Sequence, residues 1–253
     1  MPRKAREKSS TGIYHVMLRG INKQTIFEDD EDKRKFLQTL AKCKEVSGFE
    51  LYGYCLMDNH IHLLVMEKIE GISTIMMRFS SSYVYWYNKK YDRCGHLFQE
   101  RFRSESVENA AYFIKVLRYI HQNPLKAGLT KCVWEYEWTS IHEYVNKETL
   151  TDVEGGLNYF SSNRKVALEW FVVYMQEKNE DYCSNIEERV KLTDNQVREF
   201  LRGEGVTSNS MLQQMDRKKR NAILSNLKKL NGVSVRQLSR ITGISKSVID
   251  RLK

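Results

Sequence analysis

Two histidines in the stretch Asn59-His60-Ile61-His62-Leu63-Leu64-Val65 could share one chemical task. The apolar and β-branched character of this stretch predicts a strand, in which successive side chains point to opposite faces. His60 and His62 therefore project from one face, where two imidazoles can hold a divalent metal ion. At this histidine content an H-x-H pair arises by chance in roughly one chain in seven, so hydrogen-bonded core histidines are a serious alternative.

A second stretch, Tyr119-Ile120-His121-Gln122-Asn123-Pro124, is predicted to lie on a helix. With 3.6 residues per turn, Tyr119 and Asn123 are neighbours one turn apart, whereas His121 is rotated by about 200° from Tyr119. We therefore predict that His121 packs or caps, and that the tyrosine and the asparagine share a face. Tyr112 follows the same line of the helix and is the reserve candidate for tyrosine chemistry.

A metal ion and a tyrosine can share the cleavage of a phosphodiester. The phosphodiester is anionic and resists nucleophiles, so a cation on a nonbridging oxygen stabilises the charge of the transition state. Neutral imidazoles suit Mn²⁺, whereas Mg²⁺ would need oxygen ligands from water, phosphate or the Asn123 amide. A tyrosine hydroxyl must lose its proton to attack, and the attack gives a covalent tyrosyl phosphate. A free strand hydroxyl can reverse that ester without ATP.

The elements around these residues alternate in the order β-α-β-β-α-β. This order predicts an α+β fold with a ferredoxin-like four-stranded antiparallel sheet and helices on one face. The acidic run at 28–32 suits the first turn of a helix better than a carboxylate metal cluster. We predict strands over Gly12–Gly20, Phe49–Met57, His60–Met66 and Leu97–Arg103, and helices after the acidic run, over Gly71–Tyr87, over Val107–Gln122 with Pro124 as its stop, and over Arg164–Gln176.

The composition excludes several classes of protein. The chain has 253 residues, 41% of them hydrophobic, which is enough for one sizeable domain and a smaller one. No apolar run approaches the roughly 20 residues of a spanning helix, and the basic N-terminus lacks the apolar segment of a signal peptide. The five cysteines are widely spaced and form no C-x-x-C pair. We predict a cytoplasmic protein, away from membranes, with reduced, buried cysteines.

Almost all of the net charge of +9 lies at the C-terminal end. Residues 187–253 carry 15 basic and 7 acidic residues, a net charge of +8. Such a segment attracts polyanions, so nucleic acid is the first partner to consider, and a solvated helical surface is the alternative.

This basic segment also contains a pattern of three helices. We predict helices over Arg217–Leu230, Ser234–Ile241 and Ser245–Leu252, separated by Gly232 and Gly243. The pattern resembles a helix-turn-helix, whose last helix enters the DNA major groove by its N-terminal residues. The alternative is a helical hairpin that packs on the first domain. The predicted DNA contacts are Ser245, Lys246, Ser247 and Arg251.

Several separate stretches resemble one family in the right order. They are 19–27 (RGINKQTIF), 59–64 (NHIHLL), 95–102 (GHLFQERF) and 119–129 (YIHQNPLKAGL), with a weaker echo at 136–140 (YEWTS). Together they resemble the single-tyrosine HUH transposases, and more closely the REP-associated tyrosine transposases, over about residues 11 to 144. Asp58 departs from the proline that commonly precedes Asn-His in this family, which affects the turn but leaves both histidines in place.

The resemblance implies roles for four residues. His60 and His62 are the expected ligands of Mg²⁺ or Mn²⁺, Asn123 completes the coordination, and Tyr119 is the nucleophile that forms a 5′-phosphotyrosine. The implied substrate is single-stranded or hairpin DNA. Arg19, Arg101 and Arg103 are candidate DNA contacts, although the last two could equally be ordinary surface arginines.

The sequence therefore predicts a catalytic HUH domain over residues 1–145, a linker with a connecting helix over 146–186, and a basic helical region over 187–253. Two other functions are compatible with the residues. One is a nonenzymatic DNA-binding regulator with a decayed centre, and the other is a metal-dependent nuclease that uses water. Both a monomer and a homodimer fit the hydrophobic pattern.

Overall fold

The computed structural model of the chain describes residues 7–99, 101–146, 149–178, 194–206, 208–230 and 233–252. It divides into two compact units, residues 1–184 and 185–253. Within the described residues, every helix is too short or too polar to cross a membrane. The predicted break at Gly232 lies outside the described residues. The division into a catalytic domain, a linker region and a basic region, as functional parts, stays a prediction.

The first unit is built on an antiparallel sheet. Its strands are β1 (Ile13–Arg19), β2 (Glu50–Met57), β3 (His60–Met66) and β4 (Arg103–Ser106). They lie in the order β2-β3-β1-β4, with β2 and β3 joined as the predicted hairpin. The predicted α+β class and four-stranded antiparallel sheet are confirmed. The strand that carries the two histidines, β3, is paired with β1, and these two are the inner strands of the sheet.

The fourth strand differs from its predicted bounds of Leu97–Arg103. Of the residues 97–99, Phe98 makes an isolated bridge to Gly20, and the strand begins only at Arg103. The alternating pattern was misleading because Leu97, Phe98 and Phe102 are buried in the core rather than paired in a ladder. As a result, β4 aligns Glu105 with His15 of β1.

Helices α1 (Asp30–Ser47) and α2 (Ile72–Lys90) pack together and share one core with the sheet face that carries Val16 and Leu63. The side chain of Asp29 accepts the backbone N–H of Asp32, so the acidic run begins a helix as predicted. Phe79 and Tyr83 of α2 are completely buried. The aromatic stripe is therefore core.

Helix α3 (Ala110–Lys126) lies against the other face of the sheet, next to β2 and β3. Gly53 lets it approach closely, because a Cβ there would lie 2.7 Å from the Cδ1 of Leu117. The prediction that Pro124 ends this helix is wrong. Proline removes one donor in the last turn, and the helix continues to Lys126 before Gly128 leaves the helical conformation with a φ of +71°.

The stretch 146–158, expected to be a linker, is packed structure where it is described. Short helices α4 (Ile141–Val145) and α5 (Val153–Leu157) precede α6 (Arg164–Gln176). Val153, Leu157 and Phe171 are buried in the same core as α3. The carboxylate of Glu143 accepts the N–H groups of residues 149–151 at 3.0, 2.8 and 2.9 Å. Gly155 and Gly156 lie within α5, and a Cβ on Gly156 would clash with the hydroxyl oxygen of Tyr144, so the glycines permit close packing.

The second unit is entirely helical in its described residues. Its helices are α7 (Asp194–Gly203), α8 (Asn209–Gln214), α9 (Arg217–Lys229), α10 (Val235–Thr242) and α11 (Lys246–Asp250). Ser234 caps α10, and Gly243 turns the chain with a φ of +70°. Leu224, Leu238 and Ile249 are at the centre of a separate core. The three predicted helices are present, and their role in DNA binding stays a prediction.

The cysteines do not follow one rule. The four described cysteines are free thiols, as predicted, and Cys43 and Cys55 are buried. Cys94 is exposed and Cys132 is half-buried, so the prediction of buried cysteines is wrong for Cys94 and holds only in part for Cys132.

Candidate active site on the histidine strand

The imidazoles of His60 and His62 converge on the side-chain amide of Asn123. The Nε2 atom of His60 lies 3.3 Å from Oδ1 of Asn123, and the Nε2 atom of His62 lies 3.3 Å from its Nδ2. The strand alternation of β3 puts both histidines on the face that α3 covers. The structure thus brings together the three residues that the sequence singled out as metal ligands.

His60 is oriented through its other ring nitrogen. Its Nδ1 lies 2.7 Å from Oδ1 of Asn59, while Nδ2 of Asn59 donates to the carbonyl of Lys23 at 3.5 Å. Asn59 therefore accepts the Nδ1 proton of His60, which leaves a lone pair on Nε2. That lone pair faces the Oδ1 of Asn123. Two acceptors in contact are unfavourable, and a cation between them removes the conflict.

His62 is 1% exposed, and its Nδ1 lies 3.0 Å from Nε2 of His15. Burial holds the pKa of His62 well below its ordinary value, and the nearby His60, His15 and Arg19 lower it further. The ring is consequently neutral at neutral pH and keeps the lone pair that a metal ligand needs. Sequence reasoning missed His15, because its partner is on a different strand.

The chemistry of the donors fits a divalent ion. Within the described residues, no three His, Cys, Asp or Glu side chains are grouped so as to hold a metal. An ion at the histidine pair would therefore take two imidazole nitrogens, the Asn123 oxygen, and further oxygens from water or phosphate. This mixed set suits Mn²⁺, and it suits Mg²⁺ when oxygens complete the shell.

Tyr119 lies beside the histidines. Its half-buried ring is 5.5 Å from the ring of His62 and 5.7 Å from that of His15, measured between centroids. The ammonium of Lys126 lies 5.4 Å from the Tyr119 ring centroid. The hydroxyl of Tyr112, the reserve candidate, is instead hydrogen-bonded to the carboxylate of Glu105. The geometry favours Tyr119 as the tyrosine of this site.

His121 points away from the site. It is fully buried, and its Nε2 lies 2.9 Å from the Oγ of Ser140. Its ring packs against Tyr144 and Phe171. Burial lowers the pKa of His121 to about 3, with a smaller contribution from His142. It is the packing group that helix geometry predicted.

The predicted DNA contacts occupy two regions. Arg19 lies opposite His60 in the register of β1 and β3, and Arg103 lies opposite Met17. Arg101 and Arg103 are exposed. In the second unit, the exposed candidates are Ser245, Lys246, Ser247 and Arg251.

A family model matches much of the first unit. Residues 8–123 match the model described as "Transposase IS200 like". This part of the chain is similar to an IS200-like transposase domain. The match begins before β1 and ends on Asn123, so the matched stretch contains both histidines, Tyr119 and the converging amide. The resemblance drawn from the sequence is confirmed.

Individual proteins show the same similarity. The chain is 28% identical over 120 residues to a putative REP-associated tyrosine transposase of Haemophilus influenzae, covering 43% of this chain and 68% of that protein. A solved REP-associated tyrosine transposase, bound to a REP hairpin, matches with a TM-score of 0.51 and 18% identity over 60% of this chain and 90% of its own. At that identity the likeness shows a shared fold.

A further solved structure, a putative transposase from Deinococcus radiodurans, is similar at a TM-score of 0.35 and 14% identity. The match covers 50% of this chain and 97% of that one, and so low a score supports no structural argument.

Proposed function

We propose that this protein is a transposase that cleaves and rejoins single-stranded or hairpin DNA through a covalent bond to Tyr119. One observation carries the proposal: the Nε2 atoms of His60 and His62 meet at the Asn123 amide, and the ring centroid of Tyr119 lies 5.5 Å from that of His62. This arrangement combines a cation site and a nucleophile within reach of one phosphate.

In this proposal His60, His62 and Asn123 hold Mg²⁺ or Mn²⁺. When bound, the ion withdraws charge from a nonbridging phosphate oxygen and so stabilises the transition state. Asn59 and His15 hold the outer nitrogens of the two imidazoles, at 2.7 and 3.0 Å, and keep the rings from rotating. Loss of an outer contact of this kind typically costs about 10- to 100-fold in metal affinity or activity.

Tyr119 supplies the nucleophile. Its hydroxyl loses a proton as the oxygen bonds to phosphorus, the bond from phosphorus to the 3′-oxygen of the departing strand breaks, and that oxygen takes up a proton and leaves as a 3′-hydroxyl. The product is a 5′-phosphotyrosine, which a 3′-hydroxyl can attack in the reverse sense to rejoin DNA. Lys126, whose ammonium lies beside the Tyr119 ring, and Arg19 supply positive charge for the phosphate.

The substrate is proposed by analogy and by charge. The solved relative was bound to a REP hairpin, which supports hairpin DNA as the substrate class here. Arg101 and Arg103 are exposed and suited to phosphate contacts. In the second unit, Ser245, Lys246, Ser247 and Arg251 begin and flank α11, which we propose to be the recognition helix of a helix-turn-helix.

A denaturing gel tests the proposal. The protein is incubated with end-labelled hairpin DNA from the flanks of its own gene, with Mn²⁺, with Mg²⁺ or with a chelator. We expect a metal-dependent covalent protein–DNA band that is lost in Tyr119→Phe and retained in the matched control Tyr112→Phe. Metal-dependent cleavage that persists in Tyr119→Phe would indicate a nuclease that uses water. Hairpin binding without cleavage by folded protein would indicate a regulator.

A further inference from the structure

His15 is a buried histidine that the proposed chemistry does not use directly. It lies on the central strand β1 and is 1% exposed. Alternation along the strand turns it to the same face as the histidines of β3, and its Nε2 approaches the Nδ1 of His62 at 3.0 Å. Burying a third imidazole beside two others costs free energy unless its polar atoms are used.

The contacts around His62 determine where its proton lies. Nδ2 of Asn123 is a donor, so the Nε2 atom of His62 that faces it is the acceptor. A neutral imidazole with an acceptor at Nε2 carries its proton on Nδ1. The Nδ1 proton of His62 is then donated to Nε2 of His15.

The same reasoning continues to the next strand. Because Nε2 of His15 accepts, its own proton lies on Nδ1, which faces the Oε2 atom of Glu105 at 3.8 Å. Glu105 lies directly across from His15 in the register of β1 and β4. The other carboxylate oxygen of Glu105 accepts the hydroxyl of Tyr112 on α3. Four side chains from four elements thus agree on one direction of donation: Asn123 of α3, His62 of β3, His15 of β1 and Glu105 of β4.

We propose that His15 is a positioning residue that holds His62 in the Nδ1–H tautomer and so directs the Nε2 lone pair toward Asn123. The use of that lone pair for a metal rests on the proposed function, but the tautomer does not. Glu105 orients His15 in turn, because its negative charge favours the Nδ1–H form of the histidine that faces it. Residues that hydrogen-bond to a metal ligand in this way raise metal affinity without contacting the ion.

The tautomer can be observed without any metal. Long-range ¹H–¹⁵N correlation spectra of protein labelled at histidine nitrogens, in a chelator, distinguish Nδ1–H from Nε2–H rings. We expect His62 to be an Nδ1–H tautomer in the wild type and in His15→Gln, whose amide oxygen can accept the same proton. In His15→Phe, which keeps the ring volume but not the acceptor, this preference should be weakened, because the Asn123 amide alone then favours it.

Metal binding provides the second readout. We expect the Kd for Mn²⁺, measured by electron paramagnetic resonance of the free ion, to rise about tenfold or more in His15→Phe and much less in His15→Gln. Val16→Ala is the matched control. It weakens the same strand from its opposite face, so it should lower stability without changing the affinity for Mn²⁺ or the His62 tautomer.

The outcomes separate this inference from the proposed function. An Nε2–H tautomer at His62 of the wild type, or a folded His15→Phe that binds Mn²⁺ as tightly as the wild type, overturns the positioning role. If the wild type binds no Mn²⁺ but its Nδ1–H tautomer at His62 is weakened in His15→Phe, the positioning role is supported and the proposed metal site is contradicted.

Discussion

The ring of Tyr119 lies 5.5 Å from the ring of His62 in the same chain. The two residues come from α3 and β3, which pack directly against each other within the first compact unit. The nucleophile and the metal-binding pair of the proposed site are therefore complete in one copy of the protein. A partner subunit is not needed to supply either one.

This relationship predicts cleavage within one subunit. The double variant His60→Ala, His62→Ala keeps its tyrosine, and Tyr119→Phe keeps its histidines. An equimolar mixture of the two should form no covalent adduct on hairpin DNA above the level of either protein alone. Recovery of the adduct in the mixture would mean that the tyrosine reaches the histidines of a second copy.

Asn123 should control both metal affinity and metal preference. Asn123→Leu removes an oxygen ligand and should weaken binding of Mn²⁺ about tenfold, whereas Asn123→Asp adds a hard, charged oxygen and should strengthen binding of Mg²⁺ by a similar factor. Isothermal titration calorimetry measures the affinities for Mn²⁺ and for Mg²⁺. Gln176→Glu, which places the same charge on an exposed position of α6, is the control. Equal affinities in the wild type, the two Asn123 variants and the control would show that Asn123 is not a metal ligand.

The buried His121 predicts how stability depends on pH. Its pKa is about 3 in the folded protein, below its ordinary value near 6.5, so the unfolded chain binds more protons between these two values. The free energy of unfolding should consequently fall as the pH is lowered from about 6.5, by up to about 1.4 kcal/mol per pH unit from this residue.

His121→Gln tests this dependence, since its amide can still bond Ser140 but does not titrate. Urea unfolding between pH 4.5 and 7.5 in a chelator, followed by tryptophan fluorescence, reports on the first unit because all four tryptophans lie within residues 86–170. The variant should lose less stability than the wild type as the pH falls. Parallel curves for the two proteins would show that His121 is not the group responsible.

Periodicity within single elements paired the predicted site residues, and the family resemblance supplied their roles. The period of two along β3 paired His60 with His62, and the helical period along α3 paired Tyr119 with Asn123. His15 and Glu105 were missed because their roles depend on which strands are neighbours and in what register they pair. A local sequence pattern predicts neither the strand order nor the register. One local signal for His15 was its place on β1, at a position where the alternation of side chains predicts a buried face.

The errors in the predicted element boundaries also arise from contacts between elements that are distant in the sequence. Phe98 and Phe102 alternate as strand residues do, but both are buried in the core, and Phe98 makes only an isolated bridge to Gly20. Pro124 was read as a stop because a proline removes a hydrogen bond, yet the loss of one donor in a last turn is tolerated when the helix is held by the sheet beneath it. Tertiary packing decided both cases.

The second unit should add affinity for DNA. If α11 contacts phosphates, Lys246→Ala and Arg251→Ala should each weaken hairpin binding and reduce the slope of log affinity against log salt by about 1. Fluorescence anisotropy at several salt concentrations measures this slope. Arg202→Ala, on the exposed side of α7, is the control for the loss of one charge. Unchanged slopes in the α11 variants would assign these residues to an ordinary solvated surface.

The most direct test of the account is to locate the covalent bond by mass spectrometry. After reaction with hairpin DNA and Mn²⁺, nuclease treatment and trypsin, the two candidate tyrosines lie on separate peptides, Tyr119 on 119–126 and Tyr112 on 104–115. We expect a nucleotide adduct on peptide 119–126, whose single tyrosine is Tyr119. An adduct on peptide 104–115, or cleaved DNA with no adduct on any peptide, would contradict the role of Tyr119 as the nucleophile.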